Sequence, residues 1–196
     1  LLANPELPAQ SVTQLVALAK AQPGKLSYAS FGAGTTSNFA GEMFKVMAGV
    51  NILHVPYNGS APEMQALIGG QVQLSFDTNI AAIPQIRAGK VRALAVTSAR
   101  RAPSLPKVPT LAESGYPDYE MVPWISIVAP NGLPDPVRTR LDQAVVRTLS
   151  DPTIRAALER AGVDVTYQPP AAYVEKVTTE LPVIRAYVHF AGMTVA

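Results

Sequence analysis

The sequence contains no cysteine, so the fold can rely on neither a disulfide nor a thiolate metal site. That absence suits an exported bacterial protein. Charge is scarce as well. Only 15% of residues are charged and the net charge is +2, too little for the strong basic field of a nucleic-acid binder. The one basic run, Arg87, Lys90, Arg92, Arg100, Arg101 and Lys107, lies in a stretch without acids between Asp77 and Glu113. No aromatic side chain interleaves with it, so it reads as a solvated face and no nucleic-acid partner is expected. No apolar run reaches membrane-spanning length. No charged-then-apolar leader opens the sequence as given, and "LLANPELPAQ" reads as the end of a strand followed by a proline linker.

Catalytic and metal signatures are missing too. His54 and His189 are the only histidines. No His/Asp/Glu cluster has ligand spacing, and there is no G-x-S-x-G elbow. His54 falls inside an expected strand and reads as a satisfied core residue. No metal, no cofactor and no enzymatic activity is expected.

What is present is a globular composition, 48% hydrophobic over 196 residues, long enough for one good core or two small domains. Ser11 with Gln14 at the third position forms a capping-box signal, and Val12, Leu15, Val16 and Ala19 follow on one face. Three times a glycine closes a helical segment and a β-run begins: "PGKLSYA", "GGQVQLS" and "AGKVRAL". With "NILHVPY" as a further strand, this is the αβ unit repeated, and it predicts an α/β fold with a parallel sheet. After Thr97, "ARRAPSLPKVPTLAESGYPDYEMVPW" reads as a proline-rich excursion over the surface. "ISIVAP" reads as a last strand, with Trp124 packing where the chain leaves the sheet. Beyond it the chain is helical. Val137, Leu141, Val145 and Leu149 form one stripe, Asp151-Pro152 starts a second helix that Gly162 ends, and a third runs from about Ala171 with Pro182 kinking or breaking it. A domain boundary is placed near Pro123.

The loop "GAGTTS" after the first αβ strand occupies the ligand position of an open α/β sheet, between a strand's carboxyl end and a helix start. It is not a P-loop, because no lysine follows the second glycine. It is not a dinucleotide fingerprint either, because Ser37 stands where the third glycine belongs. A helix N-terminus with the hydroxyls of Thr35, Thr36 and Ser37 suits a carboxylate or another compact anion. The alternative is a tight turn that only lets the helix pack. "HVPYNGS" and "SFDTN" bring Tyr57 and Asp77 to the same strand ends. Asp77 reads either as a partner for an ammonium or hydroxyl on the solute or as a cap for the next helix. Tyr57 reads either as a ligand contact or as packing.

The strings "GKLSYASFGAGTTSNFAGEMFKVMAGVNILHVPYNGSAPEMQALIGGQVQLSFD", "AGKVRALAVTSARRAPSLPKVPTLAESGYPDYE" and "WISIVAPNGLPDPVRTRLDQAVVRTL" resemble the solute-binding proteins of tripartite tricarboxylate transporters, the Bug or TctC family. The resemblance implies a periplasmic-binding-protein-like fold of type II. Residues 1–10 would form the first interdomain crossing, 11–122 the second α/β lobe, and 123–196 the return strand and the C-terminal helices of an incomplete first lobe. The opening half of that first lobe, with its P-F-x-x-G-G loop, has no counterpart in the sequence as given. The resemblance implies capture of a small organic acid in the periplasm for membrane transporter subunits. The site carried over is Ser30, Gly32, Gly34, Thr35, Thr36, Ser37, Tyr57 and Asp77. The rival expectation is a truncated relative acting as an interaction or sensor-partner protein. With their usual sheet missing, the helices beyond residue 123 are expected to dock elsewhere, form a homodimer or expose apolar surface.

Overall fold

A five-stranded sheet ordered β3-β2-β4-β1-β5 organises the first half of the chain in the computed structural model, which describes residues 1–190. Its strands are β1 (Leu2–Ala3), β2 (Ser27–Ser30), β3 (Leu53–Pro56), β4 (Leu74–Ser75) and β5 (Arg92–Ala93). Between them run α1 (Val12–Ala21), α2 (Thr36–Ala48), α3 (Ser60–Ile68) and α4 (Asn79–Arg87). The expected αβ repeat is therefore present. β2 pairs in parallel with both β3 and β4. The sheet is not parallel throughout, however, because β1 lies between β4 and β5 and runs antiparallel to both. Two residues are too few to carry a strand period, so the orientation of β1 was not legible in its sequence.

Local signals place the helices. Ser11 caps α1 by accepting from the Gln14 N–H at 3.2 Å, while the Gln14 side chain reaches back to the Gln10 N–H at 2.7 Å. Gly49 ends α2 in the left-handed conformation (φ +61°) that a side chain would resist.

Strand alternation divides the core in two. Tyr28, Leu74 and Phe76 face α1 and α2 and join Val12, Leu15, Phe44, Leu94 and Leu111. Ala29 faces the other side with Leu2, Met64, Leu67, Val72, Ala82 and Val91. The tightest packing in the first layer is between α2 and β2. A methyl built on Gly41 would come within 2.1 Å of the Tyr28 ring, which is buried and cannot withdraw. Gly41→Ala should therefore destabilise the protein by about 1–3 kcal/mol in urea unfolding, despite alanine's better helix propensity. A neutral or stabilising result would mean that the Tyr28 ring moves freely.

Two sequence expectations are corrected. "ISIVAP" forms no strand. Its segment pairs with no other among the described residues, and Ile125 and Ile127 are 88% and 82% exposed. A β-run needs a ladder partner as well as β-formers. The proline-rich stretch, in turn, is more than a surface excursion, because buried residues anchor it to the core. Val96 bridges Thr110, Ala102 and Leu111 are buried, and the buried Tyr119 donates its hydroxyl proton to the Ala40 carbonyl at 2.7 Å. The basic run is only partly a solvated face. Arg92 reaches the carbonyls of Leu7 and Ala9 at 3.2 and 3.1 Å and ties down the linker after β1.

Beyond Pro134 lie α5 (Asp135–Ser150), α6 (Pro152–Arg160) and α7 (Pro170–Phe190), and α7 continues through Pro182. Asp151 caps α6 through the N–H groups of Thr153 and Ile154. No residue of α5 or α6 is buried. The turn after α6 approaches the start of α4 closely. A methyl on Gly162 would lie 3.1 Å from Asn79 and Ile83. α7 touches α2. Trp124, 41% exposed, meets Tyr173 edge-on and donates to Glu180 at 3.0 Å, so it packs on α7 instead of on the sheet.

Candidate functional site

The carboxyl ends of β2 and β4 and the starts of α2 and α4 enclose a crevice. Thr36, Ser37, Asp77, Thr78 and Thr97 contribute polar groups to it, and Phe31, Ala40, Phe76, Met121 and Pro123 wall it. No lysine or arginine lines it.

The loop that opens α2 is shaped by its own hydrogen bonds. Gly32 (φ +147°) and Gly34 (φ +73°) take conformations that side chains rarely adopt. Thr35 is the N-cap. Its hydroxyl donates to the Gly32 carbonyl at 2.6 Å and accepts from the Asn38 N–H at 3.5 Å, and its own N–H points to the same carbonyl at 3.4 Å. The N–H groups of Thr36 and Ser37, the next two of the helix, make no hydrogen bond among the described residues. The helix start is therefore open to an acceptor from the crevice side. α4 has a similar start, because its cap Thr78 makes no side-chain capping bond.

The eight sequence-predicted residues divide into three groups. Thr36, Ser37 and Asp77 reach the crevice. Ser30, Gly32, Gly34 and Thr35 lie behind it and build the loop, and Ser30 is fully buried. Tyr57 is not among the lining residues. It packs against the α3–α4 side of the core, and its N–H donates to the Ser30 carbonyl at 2.9 Å. The Ser37 hydroxyl is already engaged, donating to the Phe76 carbonyl. Asp77 accepts from the Ser60 hydroxyl at 2.6 Å and from the Thr78 N–H at 2.7 Å, so it joins the starts of α3 and α4. Burial raises its carboxyl above the ordinary carboxylate range, and the bonds from Ser60 and Thr78 oppose that rise.

Some of the crevice escaped the sequence reading. Thr97 closes the run "RALAVT", so the strand-end rule that found Asp77 also applies to it. Met121 and Pro123 arrive from a segment with no local signal. Behind the loop, the buried Tyr28, Asn38 and Glu42 and the half-buried His54 form a polar chain that no spacing rule detects. As expected, His54 is satisfied. Its Nε2 lies 2.7 Å from the Ser30 hydroxyl, its Nδ1 lies 3.4 Å from the Asn38 amide, and its ring stacks on Tyr28. Among the described residues no group of His, Asp and Glu is placed to hold a metal ion.

An α/β layer with its crevice at strand carboxyl ends, opened by bare helix N-termini, is the architecture of a periplasmic binding-protein lobe. The chain belongs to the tripartite tricarboxylate transporter family of receptors, TctC, whose family model matches residues 1–186. A UPF0065 protein from the tcbD-tcbE intergenic region of a Pseudomonas strain is 40% identical over 155 residues, 79% of this chain and 46% of its own length. An R. palustris protein solved with adipate shares 35% identity at a TM-score of 0.90, over 99% of this chain and 65% of that one. MatC from Rhodopseudomonas palustris, with bound malate, shares 28% identity at a TM-score of 0.80, over 95% of this chain and 65% of that one. The chain thus spans about half the length of the curated relatives it matches. No helix among the described residues is long and apolar enough to cross a membrane.

Proposed function

We propose that this protein captures a small organic acid in the periplasm and presents it to the membrane subunits of a tripartite tricarboxylate transporter, without catalysing a reaction. One observation carries this reading: the Thr36 and Ser37 N–H groups are unbonded at a helix start that opens on the crevice. A carboxylate would complete both bonds and align with the positive end of the α2 dipole, with no cationic side chain needed. The adipate and malate in two similar structures are acids of this kind, which supports the class of solute. The division into a crossing strand at 1–10, a solute-binding lobe at 11–122 and first-lobe helices at 123–196 belongs to the same proposal.

Asp77 would then select among acids. Its carboxylate repels a second carboxylate but accepts a hydrogen bond from a hydroxyl. Malate carries a hydroxyl beside its carboxylate and adipate does not. Asp77→Ala should therefore weaken malate binding by roughly 1.5–3 kcal/mol, the scale of a charged hydrogen bond, and leave adipate unchanged or improved. Isothermal titration with both acids reads this directly. Failure of both acids to bind the wild-type chain would overturn the reading. Equal losses for the two acids would assign Asp77 to holding Ser60 and Thr78 alone.

A further inference from the structure

We propose that His54 is the positioning residue of the helix-start loop: its neutral ring orients the Asn38 amide that holds Gly34, and protonation of the ring releases Gly34. The consequence for solute binding rests on the reading of the crevice given above, whereas the coupling of ring to loop does not.

One assignment of protons satisfies every contact of the ring. Ser30 Oγ donates its only proton to the Gly32 carbonyl at 3.1 Å. Its other two contacts, with the Gly32 N–H at 3.3 Å and His54 Nε2 at 2.7 Å, must therefore be accepted. The His54 proton accordingly sits on Nε2, and Nδ1 is the acceptor for Asn38 Nδ2 at 3.4 Å. The same Asn38 amide donates to the Tyr28 hydroxyl at 2.9 Å, and its Oδ1 accepts from the Gly34 N–H at 3.1 Å. The Tyr28 hydroxyl donates to Glu42 at 2.6 Å, and Glu42 is paired with Lys45 at 2.7 Å. The chain thus runs from the surface to both glycines of the loop. Ser30 holds one and Asn38 the other, with His54 between them.

A second proton on the ring has only Nδ1 to occupy, and there it meets the Asn38 amide donor. If Asn38 turns its amide over to offer oxygen, its NH2 faces the Gly34 N–H and that bond is lost. If it does not turn, the two donors repel and the amide is pushed from the position in which its oxygen holds Gly34. Each outcome loosens the Gly34 support of the loop that aims the Thr36 and Ser37 N–H groups, while Ser30 still accepts from Nε2–H and keeps Gly32. The titratable and charged groups facing the ring are Tyr28 on β2 and Glu42 and Lys45 on α2. Burial holds the imidazole below its ordinary range, Glu42 works against that, and Lys45 reinforces it. Added positive charge acting only through space would strengthen the binding of an anion. Loosening the loop weakens it, so the sign of the pH effect separates the two roles.

The test is a pH titration of the 15N-labelled protein from about pH 8 to about pH 5, with wild type and His54→Gln compared. Glutamine retains an N–H for Ser30 but does not titrate. The Gly34 amide resonance should move in wild type with the midpoint of the His54 ring protons, by more than that of Gly32, and stay still in His54→Gln. In Ser30→Ala the Gly34 response should persist. A Gly34 amide that ignores the ring, or that moves equally in His54→Gln, overturns the coupling. In a second arm, malate affinity of wild type relative to His54→Gln should fall about tenfold on acidification, the equivalent of one network hydrogen bond. A constant or rising ratio overturns the role in binding. If neither malate nor adipate binds either protein, the solute reading falls, and the Gly34 amide then decides the coupling alone.

Discussion

Replacing Glu63 by glutamine should make the protein markedly more stable above neutral pH and remove much of its sensitivity to alkali. Glu63 lies on α3 with its side chain fully buried against β4. One carboxyl oxygen accepts from Ser75, and the other has no hydrogen-bond partner among the described residues. Burial pushes its carboxyl up to about 8 from an ordinary 4.5. The Ser75 bond opposes the rise, and the neighbouring Asp77 adds to it. The sign follows from proton counting. Below pH 4.5 the side chain is protonated in both folded and unfolded chains and adds no pH dependence. Between 4.5 and about 8 the unfolded chain releases the proton that the folded chain retains, so stability falls as pH rises. Above about 8 both states are ionised and the loss levels off. At about 1.4 kcal/mol for each pH unit of displacement, the full fall is on the order of 5 kcal/mol. Glutamine can keep the bond from Ser75 and never ionises. The stability of Glu63→Gln minus that of wild type, from urea unfolding across pH 4 to about 9, should rise between those limits and then flatten. A difference that does not vary with pH would show that Glu63 is ionised in the folded protein.

How far such features could be read from sequence depended on whether their cause was local. The caps at Ser11 and Asp151, the left-handed stop at Gly49 and the helix-start loop at Gly32–Thr36 depend on neighbours in sequence, and all were legible. The family and its fold were legible too, because motifs such as "HVPYNGSAP" and "GGQVQLSFD" carry both. Features set by distant partners were not. β1 runs antiparallel between β4 and β5, and nothing in "LA" encodes those neighbours. "ISIVAP" opens on strong strand formers and lacks something to pair with. Glu63 reads as an ordinary helix acid in "APEMQAL", and only packing against Ser75 buries it. Arg92 looks like one of a basic run until the carbonyls of Leu7 and Ala9 are seen to surround it. At the site, the same division separates Thr36 and Asp77, given by strand ends, from Met121 and Pro123, which arrive through tertiary structure.

The second large effect concerns the apolar surface after Pro123. Ile125, Ile127 and Val128 are 88%, 82% and 71% exposed on an extended segment, and its backbone forms no ladder with the other described residues. Val137 and Leu141 on α5 and Ile154 on α6 add exposed apolar side chains on the helices that follow. An unpaired extended segment offers backbone donors and acceptors to another strand, and β-branched side chains make it a favourable template. Singly exposed apolar residues are commonplace, but a run of them beside bare backbone needs a cover. For this 196-residue chain on its own, the proposed cover is a second copy, with the 125–128 segments pairing about a twofold axis and the faces of α5 closing over them. Burying three large aliphatic side chains on each copy contributes roughly 1.5–3 kcal/mol per side chain before association costs, enough to bring dimerisation into the micromolar range. Sedimentation velocity should therefore show a concentration-dependent dimer. The double substitution Ile125→Asp with Ile127→Asp places charge on the paired segment without touching the core, and should weaken the dimer by at least about a hundredfold while leaving the melting temperature of the lobe close to that of wild type. A wild-type chain that sediments as a monomer throughout the micromolar range would remove the homodimer. A dimer indifferent to both aspartates would move its interface away from this segment.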